Sequence, residues 1–384
     1  MVFASTLFTR AVDPVVPKIA HDLGIDVKTA ALLSTAFTFP YALTQPVLGT
    51  IGDFFGKTRL MNISLIVVVT TTLVCAFAES FSLLVAMRIL AGILAGGNYP
   101  VGVAMIGDLV PEVHARQVAI GRLLAVALTG NLIGAVAAGV IGDILGWRGV
   151  FFSIGVFGLV VAVIAFFAFR GLPTAKPRPF NLAAVAAGFR SVFADPRAKI
   201  CFGSVFFEGI VIHGLFPYVA LLLLAAGLTQ SSYAGLVIGG FGLGGILYAM
   251  AVPLVILRVS ERQLILSGAS LAGIAFILIA LNLAWYWQAA IFVAFGIGFY
   301  MLHTCIQLHA TELTQTARGT ALSMHSCAFF SGQALGPIYY GFAFSHFGLS
   351  EPLLIGSAVI LAVGLVCARY LRHRRRDLVA GEGA

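Results

Sequence analysis

Twelve apolar stretches, each close to the length of one bilayer crossing, follow one another along this chain with only short polar interruptions. A helix of about 20 apolar residues crosses roughly 30 Å of hydrocarbon, and twelve such helices use up nearly all of the 384 residues. Only 10% of the residues are charged, against roughly 25% in soluble domains, so a water-facing surface cannot be assembled from them. The sequence therefore predicts an all-α membrane protein in the lipid bilayer. Its spans are expected near 1–20, 30–52, 60–78, 81–108, 118–142, 149–170, 199–225, 233–257, 263–283, 286–308, 317–343 and 351–370. No room remains for a large soluble domain.

The net charge of +8 raises the question of a nucleic-acid partner, and the placement of the charges answers it. With the N-terminus in the cytoplasm, 18 of the 23 Lys and Arg residues fall on inner loops and the C-terminal tail. The outer side receives Lys18, Lys28 and Arg148, while Arg10 and Arg88 lie inside spans. This bias places both termini in the cytoplasm of a multi-pass protein of the cell (inner) membrane, and no nucleic acid is needed to explain it. Arg10, Asp13, Pro14 and Pro17 interrupt the first span, which does not read as a cleavable signal peptide. The cysteines, Cys75, Cys201, Cys305, Cys327 and Cys367, are scattered through apolar runs and form no Cys-x-x-Cys pair, so neither a disulfide framework nor a metal site is expected.

One long connection, opening on the Pro-rich stretch Leu172 to Pro179, divides the chain into 1–170, a cytoplasmic linker 171–198, 199–370 and a basic tail 371–384. Within the linker, Leu182, Val185, Phe189 and Val192 recur at helical spacing, consistent with a short interfacial helix or with an irregular loop. The two large parts repeat each other at an offset of 202 to 204 residues. Gly24 maps on Gly227, Pro14 on Pro217, Arg59 on Arg262, Gly92 on Gly296, Asp108 on Glu312, Gly130 on Gly332, Gly134 on Gly336 and Gly146 on Gly348. Two pseudo-symmetric six-helix halves in parallel orientation are a transporter plan, with substrate bound at the midplane between them.

The loop after the second span reads Gly49, three residues, Asp53, two residues, Gly56, then Lys57 and Arg59. A phosphate-binding loop would need four residues between Gly52 and its second glycine and a preceding strand, and it has neither. The pattern instead resembles the loop signature of the major facilitator superfamily. That resemblance implies a cytoplasmic gate formed by Gly49, Gly52, Asp53, Gly56, Lys57 and Arg59, with Asp108 on the matching loop after span four. Further features are similar to this family. Arg88 is followed by Gly92 and Gly96-Gly97 in span four, and Gly121, Gly130 and Gly134 stand in span five, where the family's exporters carry an antiporter motif. Here Ala135 replaces that motif's proline, whereas the second half retains one in Gly332, Gly336, Pro337. The run Asp13 to Gly24 resembles the first helix of the twelve-helix drug:proton antiporters in this superfamily. Small residues at these spacings also serve close helix packing.

Asp13 in span one and Glu208 in span seven are the two acids expected inside spans, on the helices that open the two halves. A carboxylate buried in lipid resists ionisation, so it can take up and release a proton as a cavity changes sides. Arg10, three residues before Asp13, offers a competing structural role as its ion-pair partner. Arg88 is costly within a span unless it meets a wet cavity or an acid. His213, His303 and His325 also fall within spans, with His213 the candidate relay. Phe37, Phe39, Tyr41, Asn98, Tyr99, Asn131, Tyr300 and Gln333 offer an aromatic, weakly polar pocket.

Together these features predict a monomeric secondary transporter working by alternating access, without cofactor and driven by the proton gradient. Its expected action is export of a small lipophilic or weakly cationic compound. Proton-coupled symport or facilitated movement of a sugar or other metabolite is the alternative. An integral-membrane enzyme is the other class, and no Gly-x-Ser-x-Gly, His-Glu-x-x-His or paired-Cys motif supports it.

Overall fold

A computed structural model describes residues 1–110, 112–170, 182–315 and 317–371, apart from the side chains at 49, 50, 53, 54, 113, 114, 117 and 182–185. The expected tail beyond 371 and most of the Pro-rich connection lie outside the described residues. Among the described residues the chain is helical, with no strand. The helices before residue 170 are α1 (Val2–Arg10), α2 (Val16–Leu23), α3 (Val27–Phe55), α4 (Lys57–Ala76), α5 (Phe81–Ala95), α6 (Asn98–Leu109) and α7 (Val113–Ala168). Those after it are α8 (Leu182–Phe193), α9 (Arg197–Val211), α10 (Phe216–Ala225), α11 (Ser231–Val255), α12 (Glu261–Ala280), α13 (Trp285–Glu312), α14 (Arg318–Phe347) and α15 (Glu351–Tyr370).

Eight helical stretches among the described residues are long and apolar enough to cross a membrane. Particular residues account for the difference from the twelve expected. Spans five and six run on as α7, bent at Gly146 (φ 69°). The second span, α3, carries Gln45, Pro40 and Pro46, and α14 carries polar and small residues throughout, which lowers their hydropathy. The first span is broken: a 3₁₀ turn at Asp13–Val15 separates α1 from α2, where Pro14 and Pro17 lack the N–H that a continuous helix needs. A matching 3₁₀ turn at His213–Leu215 separates α9 from α10, with Pro217 just beyond it. Span four also divides, at Gly96–Gly97, into α5 and α6.

Glycines paired by the sequence offset take matched backbone geometry. Gly24 and Gly227 both take positive φ (64° and 85°), as do Gly146 and Gly348 (69° and 82°), a conformation that β-carbon-bearing residues rarely adopt. Close helix crossings repeat as well. A β-carbon at Gly92 would strike the Phe37 carbonyl, and one at Gly296 the Phe241 carbonyl, so α5 lies on α3 as α13 lies on α11. Gly130 and Gly134 bring α7 onto the backbone of α1, while Gly332 and Gly336 bring α14 onto α9 and the turn that follows it. Without a hydrophobic force between helices in lipid, such backbone approach is what holds them. Gly121 departs from this pattern: a β-carbon there would meet open space, so its expected packing role is not supported.

Early and late helices meet along two seams. Helix α7 packs on α11, where Gly139 faces Gly235, and α3 packs on α14, where Thr35 donates to the Ala334 carbonyl at 2.7 Å and Tyr41 abuts Phe330. The linker stripe forms α8, whose Phe189 is half-buried and whose Val192 is buried, and Ser191 reaches Thr314 at 3.2 Å.

Candidate substrate and proton site

Arg10 at the end of α1 and Asp13 in the turn that follows are both buried in the interior. Asp13 is 1% exposed and accepts hydrogen bonds from the Ser34 hydroxyl at 2.7 Å and from Arg10 Nη1 at 3.3 Å. The local Arg10–Asp13 pair weighed from spacing alone is thus present. The Arg10 guanidinium also lies 4.5 Å from the centre of the Phe216 ring, which belongs to α10, so it bridges early and late elements. Arg88 on α5 stays within its own neighbourhood. It stacks 4.2 Å over Phe37 and donates to the carbonyls of Leu33 (3.3 Å) and Phe8 (3.4 Å), while Nη2 has no partner. An arginine buried in this way is held by ring face and backbone dipoles.

Glu208 sits one turn before the break after α9 and is fully buried. Its Oε2 lies 2.8 Å from His303 Nδ1 on α13, a partner 95 residues away that no local pattern could have named. The His303 ring is in turn 5.1 Å from His325 on α14, whose nitrogens have no partner. His213 stands apart from Glu208's bond, packed among Phe216, Phe241, Phe299 and Phe329. A small cavity opens between early and late helices, lined by Arg10, Asn131, His213, Phe216, Phe241 and Tyr300 among others. Of the aromatic and polar residues expected from the sequence, Asn131 and Tyr300 reach it. Asn98 instead donates to Ser5 Oγ at 2.6 Å, Phe37 lies under Arg88, and Phe39 is 45% exposed. Among the described residues, no three His, Cys, Asp or Glu side chains are grouped to hold a metal ion.

At the end expected to face the cytoplasm, Lys57 pairs with Asp108 at 2.6 Å, joining the loops after spans two and four. At the start of α9, Arg197 reaches Asp195 (2.9 Å) and Glu312 (3.7 Å), the residue matched to Asp108. Arg59 stands on the first turn of α4. Gly56 takes φ 91° between α3 and α4, and a β-carbon at Gly52 would just touch Val101 and Leu60. The side chain of Asp53 and the surroundings of Gly49 lie outside the described residues. The Lys57–Asp108 pair is partly exposed, and a double-mutant cycle is expected to return about 1 kcal/mol or less from thermal unfolding.

At the opposite end the seam between α7 and α11 is tied by Asp143, just before the bend at Gly146. Its carboxylate accepts the backbone N–H groups of Ser231 (2.7 Å) and Ser232 (2.8 Å) at the start of α11, and receives Lys18 Nζ at 2.8 Å. Partial burial alone would raise its pKa, but the bonds from Lys18 and the two serines outweigh that and hold it below the ordinary carboxylate value. A depressed pKa means that the tie is complete above about pH 4 and is lost as pH falls through the lowered value. Asp143→Asn is expected to loosen this end at neutral pH. Several-fold faster labelling of a cysteine placed at Thr35, from outside right-side-out vesicles, would register the change, and an unchanged labelling rate would count against it.

Comparison with known proteins agrees with this arrangement. The family model described as Major Facilitator Superfamily matches residues 1–337. The uncharacterized MFS-type transporter YfhI of Bacillus subtilis is 27% identical, over 94% of this chain and 89% of its own length. The quinolone resistance protein NorA of Staphylococcus aureus is 22% identical, over 98% and 96%. An uncharacterized MFS-type transporter of Mycobacterium tuberculosis, Rv1250, is 34% identical over 38% of this chain, a stretch that spans only 26% of that relative. Broken helices, repeated glycine crossings and a family match over most of the sequence lead to one conclusion: this chain is a multi-pass transporter of the major facilitator superfamily.

Proposed function

We propose that the chain is a proton-coupled exporter of small lipophilic compounds, working as a monomer in the inner membrane with both termini in the cytoplasm. Twelve spans, with α7 counted as two and the broken α1–α2 and α9–α10 units as one each, form two six-helix halves over 1–170 and 199–370. Alternating access rocks these halves about the central cavity. The observation that carries the reading is the placement of two buried acids, Asp13 and Glu208, at the broken helix that opens each half. A buried carboxyl that gains and loses a proton as the cavity changes sides couples the gradient to substrate movement. The likeness to a quinolone resistance protein supports export. The tie at Asp143 and the bond from Thr35 along the α3–α14 seam support a cavity closed to the outside.

Inverted vesicles test the direction. An imposed acidic interior is expected to drive uptake of a lipophilic dye, and collapse of the proton gradient to stop it. Accumulation in right-side-out vesicles with an acidic exterior would instead establish symport and nutrient uptake. The gate residues are expected to act on cycling alone: Gly52→Val crowds Val101 and Leu60 and should lower turnover, with ligand affinity held within about threefold. A large affinity loss with unchanged cycling would remove the gate reading.

A further inference from the structure

The cavity between the halves carries unused hydrogen-bonding groups around a cation. Arg10 is only 8% exposed yet has a single, long side-chain bond, to Asp13 at 3.3 Å. Among the described residues nothing else accepts from it, although its ring contact with Phe216 fixes its position. His213, 6% exposed and also lining the cavity, leaves Nδ1 without a partner, and Asn131 leaves Oδ1 without one. The Tyr300 side chain completes this polar edge, and Phe216 and Phe241 form the apolar wall. A guanidinium with free N–H groups is a carboxylate receptor, because its donors match two carboxylate oxygens.

The surrounding charge is net positive. Arg10 and Arg88 both act on Asp13, giving two guanidiniums and one carboxyl in this neighbourhood, so a positive excess persists whether or not Asp13 holds a proton. Glu208 is engaged by His303, and neither acid lines the cavity. A cationic ligand would meet repulsion here, whereas a carboxylate would find a donor and an aromatic shelf together.

We propose that this cavity is a carboxylate subsite for an aromatic monoanion: its space of about 30 Å³ takes the carboxylate on Arg10 with Tyr300 beside it, and the walls formed by Phe216 and Phe241 part to admit the ring. This rests on the transporter reading and reverses the weakly cationic substrate expected from the sequence. The test uses purified full-length protein in detergent at low salt, without any gradient, so that its failure is separable from failure of acid-driven uptake in vesicles. Thermal shifts are compared for 1-naphthoate, 1-naphthamide and 1-naphthylmethylammonium, which share one ring system and differ in charge. Naphthoate is expected to bind about tenfold or more tightly than the amide, the scale of a charge-assisted hydrogen bond, and the ammonium most weakly. Arg10→Lys should retain part of the preference. Arg10→Gln should abolish it while naphthamide still binds within about threefold, which shows that the variant remains folded. Equal shifts from all three probes, a preference for the ammonium, no shift from naphthoate at millimolar concentration, or a preference that survives Arg10→Gln would each overturn the proposal.

Discussion

Asp13→Asn combined with Glu208→Gln is expected to abolish accumulation of substrate against its gradient while leaving exchange of substrate across the membrane intact. An inside-negative potential of 100 mV contributes about 2.3 kcal/mol for each charge moved, enough for roughly fifty-fold accumulation if one charge crosses per cycle. Removing both titrating carboxyls disconnects that term, so the gradient should fall to the level of passive equilibration. On the proposed mechanism exchange needs only the rocking of the two halves, and the amides preserve shape and hydrogen bonding. After Asp13→Asn the amide oxygen can still accept from Arg10 while the amide NH2 donates to the Ser34 hydroxyl, and after Glu208→Gln the side chain can still meet His303. Proton release on ligand binding, followed with a pH dye, should vanish in the double variant. If release persists undiminished, neither acid takes part in coupling. The single variants rank the two sites, and His303→Phe reports on Glu208 from outside: it strands that acid without a partner, so it should alter the pH profile of transport more than ligand affinity.

Much of this architecture was readable from residue spacing, and the limits of that reading have physical causes. Prolines at 14 and 217 were legible as matched positions, but the spans around them read as continuous; the 3₁₀ breaks at Asp13–Val15 and His213–Leu215, beside prolines that lack the N–H a continuous helix needs, emerge from the fold. Gly24 with Gly227, and Gly146 with Gly348, marked the repeat because positive φ leaves little choice of residue. Partners across helices were not readable. In lipid, neighbours and solvent are equally apolar, so a helix bears no amphipathic stripe to show which face meets which. His303 on Glu208 and Asp143 on the start of α11 therefore emerge only from the fold, at separations of 95 and 88 residues. The same blindness explains Gly121, which shares its spacing with the crossing glycines and yet faces open space.

Gly332→Val should be the most damaging single change to folding among the motif glycines, and Gly121→Val among the least. Helices α9 and α14 meet through reciprocal glycines: a β-carbon at Gly332 would collide with the Phe206 carbonyl, and one at Gly209 would lie 2.6 Å from the Gln333 nitrogen and press on the Phe329 carbonyl. Gly336 and Gly214 face each other one to two turns further along. These obstacles are backbone, which cannot swing aside as a long side chain can, so the helices must separate. Overpacking costs about 1–3 kcal/mol, and backbone obstacles place this case at the upper end, a large share of a stability of roughly 5–15 kcal/mol. Separation would also pull Glu208, one residue before Gly209, away from His303 on α13. The expected result for Gly332→Val is loss of the monodisperse peak on size exclusion in mild detergent, or a melting temperature lowered by several degrees. Gly121→Val should match the parent in both measurements, because its added methyls meet open space. Equal behaviour of the two variants would mean that α9 and α14 do not approach at Gly332 as described, and the placement of Glu208 against His303 would lose its support.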